Sequence, residues 1–262
     1  RIGVDVDGLA RVEEARAAID ANTALVSVMH SNNETGVMQP VLEFRQLAHA
    51  VGAIMHTDAA QSVGKVALNV RELGVDLLSV AGHKLYAPKG VGALYVRRGT
   101  PLVPFVLGAG HERGLRPGTE NVASIVALGM ACEIARRDME AVSARLASLR
   151  DELWGRLELA VPEIQLNGHR SLRLPNTLNV RFPRASGQGI LQGAPEITAS
   201  TGSACHAGGE SASAVIVAMG VAPDDAVGSI RLTLGRGTTP ADIVTAAAAL
   251  ARSWRAVRTD GH

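Results

Sequence analysis

Lys84 could act as a nucleophile toward an aldehyde because of where it lies in the chain. The apolar run 77–81 leads into a Gly-His-Lys sequence, and a turn and a second apolar run, residues 91–96, follow it. Short apolar runs bounded by turn residues are typical of buried strands. We therefore expect Lys84 on a loop between two buried strands, where partial desolvation would make its amine nucleophilic. An ordinary surface lysine in a turn is the alternative.

Asp58 could complete a site for pyridoxal phosphate (PLP) with this lysine. A lysine holds the aldehyde of PLP as a Schiff base, and a carboxylate that keeps the pyridine nitrogen protonated lets the ring accept electrons. Gln61 follows Asp58 by three residues and could hydrogen-bond the phenolate oxygen of the ring, and His83 could donate to the phosphate. Simpler alternatives are a helix N-cap for Asp58 and a histidine satisfied within its own turn for His83.

Cys205 lies in the middle of a loop rich in glycine, serine and alanine, residues 199–210. Exposed thiols are usually avoided in proteins. Close to a cofactor site, a cysteine on such a mobile loop indicates a nucleophile, and an incidental surface cysteine is the alternative. Whether His206 lowers the pKa of this thiol stays open, because adjacent side chains need not face each other.

Arg231 is embedded in an apolar run between Ile230 and Leu232. A buried guanidinium needs an anionic partner, since an unpaired buried charge is costly. A substrate carboxylate held by two hydrogen bonds and a structural ion pair with another side chain are equally compatible with this position.

Alternating helices and strands must position these side chains. Helices are predicted at 13–19 and 40–51, and strands at 24–29, 52–56, 75–80 and 91–96. This alternation is typical of a parallel sheet with helices on its faces, and ligands bind beyond the carboxyl ends of such strands. Asn33, Asp58 and Lys84 each follow a strand end, so we expect them to converge on one crevice.

A long helix is predicted after the glycine-rich loop 108–121. Its apolar residues recur at spacings of three and four, which is typical of one buried face. Cys132 falls on this stripe, and we interpret it as a core thiol without chemistry. The stripe consists of Ile125, Leu128, Cys132, Ala135, Met139, Val142, Leu146, Leu149, Leu153 and Leu157.

The remainder of the chain is predicted to form a smaller α+β domain. Strands are indicated at 178–182 and 229–234. The closing helix has Thr239 as its N-cap, with Pro240 next and Asp242 completing a capping box. We predict a PLP-binding large domain at 1–135 and a small domain carrying the cysteine loop at 136–262.

Composition excludes several classes of function. The chain has 262 residues, of which 47% are hydrophobic and 19% charged. Its net charge of +1 gives no reason to expect binding to nucleic acid or to an anionic membrane. Aromatic residues make up 3%, which is too few for base-stacking surfaces. The two cysteines show no spacing typical of metal ligands, so no metal site is expected, and they fit the reducing cytoplasm better than a disulfide scaffold.

Six segments resemble those of the cysteine desulfurases, PLP enzymes of fold type I in the class-V aminotransferase group. They occur in the order of that family and cover nearly the whole chain, which makes the resemblance highly specific. The segments are 32–36, 56–65, 82–90, 116–121, 200–205 and 228–236.

The resemblance implies how the cofactor is held. Lys84 would carry the Schiff base and Asp58 would pair with the pyridine nitrogen, while Gln61 and His83 would contact the cofactor. Thr119 would reach the phosphate of the partner subunit's cofactor, which implies a homodimer.

The resemblance also implies the reaction. Asn33, which would contact the cofactor as well, and Arg231 would hold the carboxylate of L-cysteine, and Lys84 would shuttle the α-proton. The Cys205 thiolate would then attack the substrate sulfur, leaving L-alanine and a persulfide. An acceptor or scaffold protein would take the sulfur for iron–sulfur clusters or thio-cofactors.

The sequence departs from the pattern of that family at three points. Ala81 replaces a serine that often donates to the phosphate, and Ala87 replaces a frequent glycine. The phosphate-binding Gly-Thr-Glu segment and the ring-stacking histidine of the family have no counterpart before Asn33. Either the chain is a fragment or the product is truncated. If truncated, it would expose a sheet edge beside residues 24–29 and bind PLP weakly, without the absorbance of a lysine-bound cofactor.

Three other functions stay open. A selenocysteine lyase has a similar cysteine loop. A truncated, inactive homologue could serve as a dimerisation or scaffold-binding module. Another fold type I lyase could use Lys84 without Cys205, and it would keep its turnover when Cys205 is replaced by serine.

Overall fold

The computed structural model describes residues 1–202 and 212–259, and the chain forms two compact units in it. The first, which we call the sheet unit, comprises residues 15–30 and 41–139. The rest of the chain forms the C-terminal unit, which also includes residues 1–14 and 31–40. Because two N-terminal segments group with the C-terminal half, these units interleave along the chain. The division into functional domains at residue 135 therefore stays a prediction.

The sheet unit is built on four strands in the order β1-β2-β3-β4. The first three run parallel, and β4 pairs antiparallel with β3. This mixed, mainly parallel sheet confirms the predicted α/β class. The strands are β1 Leu25–Met29, β2 Ile54–Asp58, β3 Leu77–Ala81 and β4 Gly92–Val96.

Short helices flank these strands. In α2, Val41, Phe44 and Ala48 are buried at spacings of three and four, as expected for a helix with one face on the sheet. Pro40 precedes its first residue, where the fixed φ of proline favours a helix start. The helices and 3₁₀ turns up to residue 160 are α1 Val12–Ala18, α2 Val41–Ala50, α3 Val70–Leu73, the turns Gly82–Leu85 and Glu112–Gly114, and α4 Val122–Ala160.

The expectation that two buried strands enclose Lys84 is wrong for the second strand. Residues 92–94 of β4 are exposed, and Leu94 has 48% of its surface open to solvent. The reason is topological, because among the described strands β4 forms an edge of the sheet and pairs with β3 alone. An apolar run alone does not show whether other elements cover the strand.

The apolar stripe of α4 is confirmed along most of its length but is wrong at two positions. Leu128, Ala135 and the leucines from Leu146 to Leu157 are buried, whereas Ile125 and Cys132 are exposed. Each residue of an α-helix is rotated by about 100° about the helix axis from the one before it. Ile125 and Cys132 therefore project roughly 40–60° away from Leu128 around the helix, both on the same side. Cys132 is therefore not the core thiol that the pattern predicted.

The C-terminal unit packs helices against an antiparallel sheet in the order β5-β6-β7. Trp254 is 1% exposed, and its indole Nε1 donates to the carbonyl oxygen of Pro183 at 2.9 Å. The predicted capping box of the last helix is confirmed, with Thr239 and Asp242 bonded reciprocally. The elements are β5 Gln165–Leu166, β6 Thr177–Arg181, α5 Gly187–Gln192, α6 Ala214–Ala218, α7 Pro223–Ala226, β7 Ser229–Thr233 and α8 Pro240–Val257.

The helices within residues 1–202 and 212–259 include none long and apolar enough to cross a bilayer.

Asp76 links several elements of the sheet unit by hydrogen bonds. Its carboxylate accepts hydrogen bonds from the Met55 amide at 2.8 Å, from His49 Nε2 at 2.8 Å and from Arg97 Nη1 at 3.2 Å. Burial alone would raise the pKa of Asp76, but these hydrogen bonds and the Coulombic influence of His49 and Arg97 outweigh it and lower the pKa. Ionised Asp76 therefore stabilises the folded state.

We expect Asp76→Asn to lower the free energy of unfolding by about 2–3 kcal/mol at pH 7, since it removes a charged acceptor of three donors. Because the folded pKa lies below the unfolded value of about 4, the difference from wild type should shrink as the pH falls through that range. Urea unfolding at pH 7 and pH 3 measures this. Asp138→Asn, which removes an exposed pair with Arg137, should cost no more than about 0.5 kcal/mol. An equal loss of unfolding free energy in both variants would contradict the stabilising role of Asp76.

Candidate functional site

Asp58 and Lys84 come together at one edge of the sheet unit. Asp58 is the last residue of β2, and Lys84 lies in the 3₁₀ turn that follows β3 directly. Because β2 and β3 are parallel neighbours, with Asp58 opposite Ser79, their carboxyl ends share this edge. Gln61 and His83 lie in the two turns that carry these residues. The turn residues 58–65 and 82–85 are called the strand-end cluster below.

Lys84 is more exposed than the sequence predicted. The 3₁₀ turn buries Gly82 and Leu85 and leaves His83 and Lys84 in solvent. Within residues 1–202 and 212–259, no acceptor receives a hydrogen bond or an ion pair from the Lys84 amine. The amine is therefore available to a ligand, and the described residues leave it exposed to solvent.

Asp58 also faces solvent. Its Oδ1 accepts a hydrogen bond from the Ala60 amide at 2.9 Å, which is the local turn-capping role that the sequence allowed as an alternative. This bond uses one carboxylate oxygen and leaves the group exposed. Local capping and a role toward a ligand are therefore compatible at Asp58.

Two histidines behind the strand-end cluster were not singled out from the sequence. His30 Nδ1 lies 2.8 Å from Ser62 Oγ, and burial lowers the pKa of His30. His56 lies between Ser27 and Ser79, at 2.7 and 2.9 Å, and burial lowers its pKa against the opposing charge of Asp58. Both rings favour the neutral state. His30 contacts the turn through Ser62, and His56 on β2 connects β1 and β3.

Thr119 lies in an exposed loop of the sheet unit. Arg116 Nη1 donates to the carbonyl oxygens of Gly118 at 3.1 Å and Thr119 at 3.3 Å, which orders the loop locally. The Thr119 side chain is exposed. Its predicted role toward a partner subunit stays a prediction.

Asn33 and Arg231 are brought together in the C-terminal unit, although 198 residues separate them. Arg231 lies on β7, and its Nη1 donates to the carbonyl oxygen of Asn33 at 3.0 Å. Asn32 Oδ1 accepts from the amides of Glu34 and Thr35 at 2.8 and 2.9 Å and thereby shapes the turn that presents Asn33. In the described part of the chain, no carboxylate forms an ion pair with Arg231. The guanidinium therefore retains capacity for an anionic ligand.

Glu34 is a second residue that the sequence reasoning did not assign. It is 4% exposed, and its carboxylate accepts from Ser213 Oγ at 2.6 Å, while its backbone carbonyl accepts from Asn179 Nδ2 at 3.1 Å. Gly202 lies beside the same carboxylate. The sequence could have pointed to Glu34 because it lies within segment 32–36, which resembles the family. That resemblance does not show whether the Glu34 side chain is buried.

Cys205 and His206 lie outside the described residues, so the predicted nucleophile stays a prediction from sequence.

The strand-end cluster fits PLP in its donor set. The cofactor needs an amine for its aldehyde and a carboxylate for its pyridine nitrogen, and Lys84 and Asp58 supply these groups from adjacent strand ends. Both side chains are exposed rather than consumed by strong internal pairs. The residues are therefore suited to the cofactor, with Gln61 and His83 as further contacts in the same two turns.

Comparisons with known proteins agree with this arrangement. A family profile described as "Aminotransferase class-V" matches residues 1–245. Curated relatives include "Cysteine desulfurase" of Gluconacetobacter diazotrophicus, 45% identical over 244 residues, and "Cysteine desulfurase IscS" of Dictyoglomus turgidum, 43% identical over 242 residues. Each alignment covers 92% of this chain and 61% of the relative. The chain thus spans about three-fifths of the length of these relatives.

Solved structures show the same fold. A structure titled "NIFS-LIKE PROTEIN" matches with a TM-score of 0.87 at 32% identity, covering 96% of this chain and 66% of that one. A NifS-like protein from Rickettsia africae matches with a TM-score of 0.88 at 28% identity, covering 97% and 69%. With the family profile extending over nearly the whole sequence, the chain belongs to the class-V aminotransferase family and has the PLP fold type I architecture.

Proposed function

We propose that this chain is the catalytic part of a PLP-dependent cysteine desulfurase that converts L-cysteine to L-alanine and holds the released sulfur as a persulfide on Cys205. One observation carries the proposal: an available lysine amine and an exposed carboxylate, Lys84 and Asp58, end two neighbouring parallel strands. Relatives at 43–45% identity that are named cysteine desulfurases support the choice of reaction.

When bound, PLP would supply an aldehyde for the Lys84 amine and a ring that accepts electrons from the substrate. Asp58 would keep the ring nitrogen protonated, because a carboxylate beside a cationic nitrogen favours its charged form. Gln61 and His83 would hold the phenolate oxygen and the phosphate. The Lys84 amine, freed when substrate binds, would take the α-proton of cysteine as a general base.

Arg231 and Asn33 would bind the carboxylate of cysteine. The guanidinium is already oriented by its hydrogen bond to the Asn33 carbonyl, so little ordering would be needed on binding. The Cys205 thiolate would then attack the substrate sulfur. One sulfur–sulfur bond forms, one carbon–sulfur bond breaks, and its electrons go to carbon, which gains a proton to give alanine. A thiol and cysteine thus become a persulfide and alanine without an external oxidant.

The proposal includes a homodimer. Several apolar side chains between residues 102 and 130 of the sheet unit are exposed, with Phe105 at 99%. Many exposed apolar side chains within a short stretch of sequence support an interaction site there, and Thr119 lies in the same stretch. The exposed apolar residues are Leu102, Val103, Phe105, Val106, Leu107, Val122, Ile125, Val126 and Met130. An acceptor protein would then receive the sulfur, and the low cysteine content supports a reaction in the reducing cytoplasm.

The test is alanine and persulfide formation by the purified protein supplied with PLP and L-cysteine. Formation of both supports the desulfurase. Alanine from L-selenocysteine but not from L-cysteine indicates a selenocysteine lyase, and partner binding with neither product indicates a binding module.

We expect Arg231→Met to raise KM for L-cysteine by about 10- to 100-fold with a smaller change in kcat, since a charge-assisted hydrogen bond to a carboxylate contributes roughly 1.5–3 kcal/mol. Arg231→Lys keeps the charge but loses the planar geometry that allows two parallel hydrogen bonds, so its KM should lie between those of wild type and Arg231→Met. Alanine release at varied cysteine concentration measures both constants. Arg255→Met, at an exposed position of α8, is the matched control. An unchanged KM in folded Arg231→Met would remove Arg231 from the substrate site.

A further inference from the structure

The buried side chain of Glu34 lies between two points of the chain that are distant from it in sequence. Its Oε2 accepts a hydrogen bond from Ser213 Oγ at 2.6 Å, a distance typical of a hydroxyl bound to a carboxylate. A Cβ atom built at Gly202 would lie 3.4 Å from the same oxygen and 3.8 Å from the Cβ atom of Ser213. One carboxylate oxygen of Glu34 therefore lies close to both Gly202 and Ser213.

Gly202 and Ser213 are the two ends of the stretch that contains Cys205. We call residues 203–212 the Cys205 segment. Because both ends meet at Glu34, the segment leaves and returns at one place in the C-terminal unit. Cys205 follows Gly202 by three residues, and three residues span at most about 11 Å. Holding Gly202 at Glu34 therefore limits how far the thiol can travel from this place.

Each end continues into a packed element of the C-terminal unit. On one side, Ser200 pairs with Arg231 of β7, whose amide donates to the Ser200 carbonyl oxygen at 2.7 Å, and Ser200 Oγ donates to the carbonyl oxygen of Gly202 at 2.6 Å. On the other side, Ser213 is the N-cap of α6 and accepts from the amide of the buried Ile216 at 3.3 Å. The two ends are thus attached to β7 and α6, and the side chain of Glu34 lies at the point where they meet.

Glu34 also belongs to the turn that presents Asn33. Its backbone carbonyl accepts a hydrogen bond from Asn179 Nδ2 on β6 at 3.1 Å, which fixes the turn against the sheet. The carbonyl oxygen of Asn33, the preceding residue, accepts from Arg231 Nη1 at 3.0 Å. The residues proposed to bind the substrate carboxylate and both ends of the Cys205 segment are therefore connected through Glu34.

We propose that Glu34 is a positioning residue for the Cys205 thiol: its carboxylate holds both ends of the Cys205 segment beside the proposed site for the substrate carboxylate. Releasing one end would give the segment many more conformations, and a smaller share of them would bring the thiol to the substrate. This role in sulfur transfer rests on the proposed function. The attachment of the segment to Glu34 can be tested without cofactor or substrate.

The first measurement is native-state proteolysis with a glutamate-specific endopeptidase. Peptide mass spectrometry gives the rate of cleavage after Glu210, within the Cys205 segment, relative to cleavage after Glu163, an exposed residue of the same unit. We expect Ser213→Ala to raise this ratio about tenfold, because losing a hydrogen bond to a carboxylate increases the population of the released segment. Ser213→Thr keeps the hydroxyl and should stay within about twofold of wild type.

The second measurement uses protein supplied with PLP and saturating L-cysteine. Ser213→Ala should form persulfide on Cys205 about tenfold more slowly, while KM for L-cysteine and the attachment of PLP to Lys84 should stay within about twofold. Glu34→Gln keeps an oxygen acceptor of the same size and should slow persulfide formation less. Asn69→Ala removes the N-cap of another short helix, α3 in the sheet unit, and should leave both measurements unchanged.

The outcomes separate this proposal from the proposed function. Unchanged cleavage after Glu210 in folded Ser213→Ala, or an equal rise in Ser213→Ala and Ser213→Thr, overturns the attachment to Glu34. Near-ultraviolet circular dichroism reports folding, and Ser213→Gly, which also lacks the hydroxyl but is a better N-cap than alanine, serves if the alanine variant is unfolded. Faster cleavage with unchanged persulfide formation overturns the positioning role. Faster cleavage together with no persulfide from the wild-type protein overturns the desulfurase and supports the attachment.

Discussion

Replacing Lys84 with alanine is expected to lower alanine formation from L-cysteine by at least about a thousandfold, because one side chain both binds the cofactor and moves the α-proton. The variant should also lose the covalent attachment of PLP to the protein. Borohydride reduction of the PLP-loaded wild type, followed by peptide mass spectrometry, should place the cofactor on the peptide that contains Lys84. With three lysines in the sequence, this mapping is unambiguous.

Lys89→Ala is the matched control, because Lys89 is an exposed lysine on the same loop. It should keep the attachment and nearly all of the activity. Attachment at Lys65 instead of Lys84 would contradict the assignment directly, since Lys65 is the other amine of the strand-end cluster. Full activity in Lys84→Ala would remove PLP chemistry from this edge of the sheet.

Local chemistry explains which parts of the fold were predictable. The capping box at Thr239 and Asp242 and the helix that follows Pro40 depend on residues within a few positions of each other, and both were predicted correctly. The placement of Asp58 and Lys84 at one sheet edge also follows from local strand ends, once the sheet is parallel. These features need no knowledge of distant contacts.

Burial could not be predicted in the same way. Cys132 satisfies the apolar period of α4 and is exposed, and β4 reads as a buried strand but forms a sheet edge. Conversely, Glu34 is an acidic residue that distant parts of the chain cover. Whether a side chain is covered depends on elements far away in sequence, which periodicity does not report.

The pairing of Asn33 with Arg231 lies between these cases. The residue types indicated a carboxylate site, but the choice between a substrate and a structural ion pair stayed open. Among the described residues, the guanidinium donates to a backbone carbonyl and pairs with no carboxylate, which argues against the structural ion pair. This contact joins segments 198 residues apart, so no local pattern could have predicted it.

Replacing Cys205 with serine should abolish sulfur transfer, with persulfide undetectable and alanine formation reduced by about a thousandfold or more. Oxygen is a far poorer nucleophile than a thiolate, and a serine hydroxyl stays protonated at neutral pH. The measurement is peptide mass spectrometry after incubation with L-cysteine and alkylation, which detects the gain of one sulfur atom on the peptide that contains Cys205. Covalent PLP attachment at Lys84 should be unaffected.

Cys132→Ser makes this experiment decisive, because the sequence holds two cysteines and Cys132 is exposed on α4. Solvent exposure makes Cys132 accessible to sulfur, so a persulfide formed by non-specific exchange should appear on both thiols. Specific chemistry should load Cys205 alone and survive Cys132→Ser intact. Turnover that persists in Cys205→Ser would instead assign the chain to a lyase that uses Lys84 without a thiol. The proposed function therefore requires that Cys205 accepts sulfur and Cys132 does not, and that replacing Cys205 leaves the lysine chemistry in place.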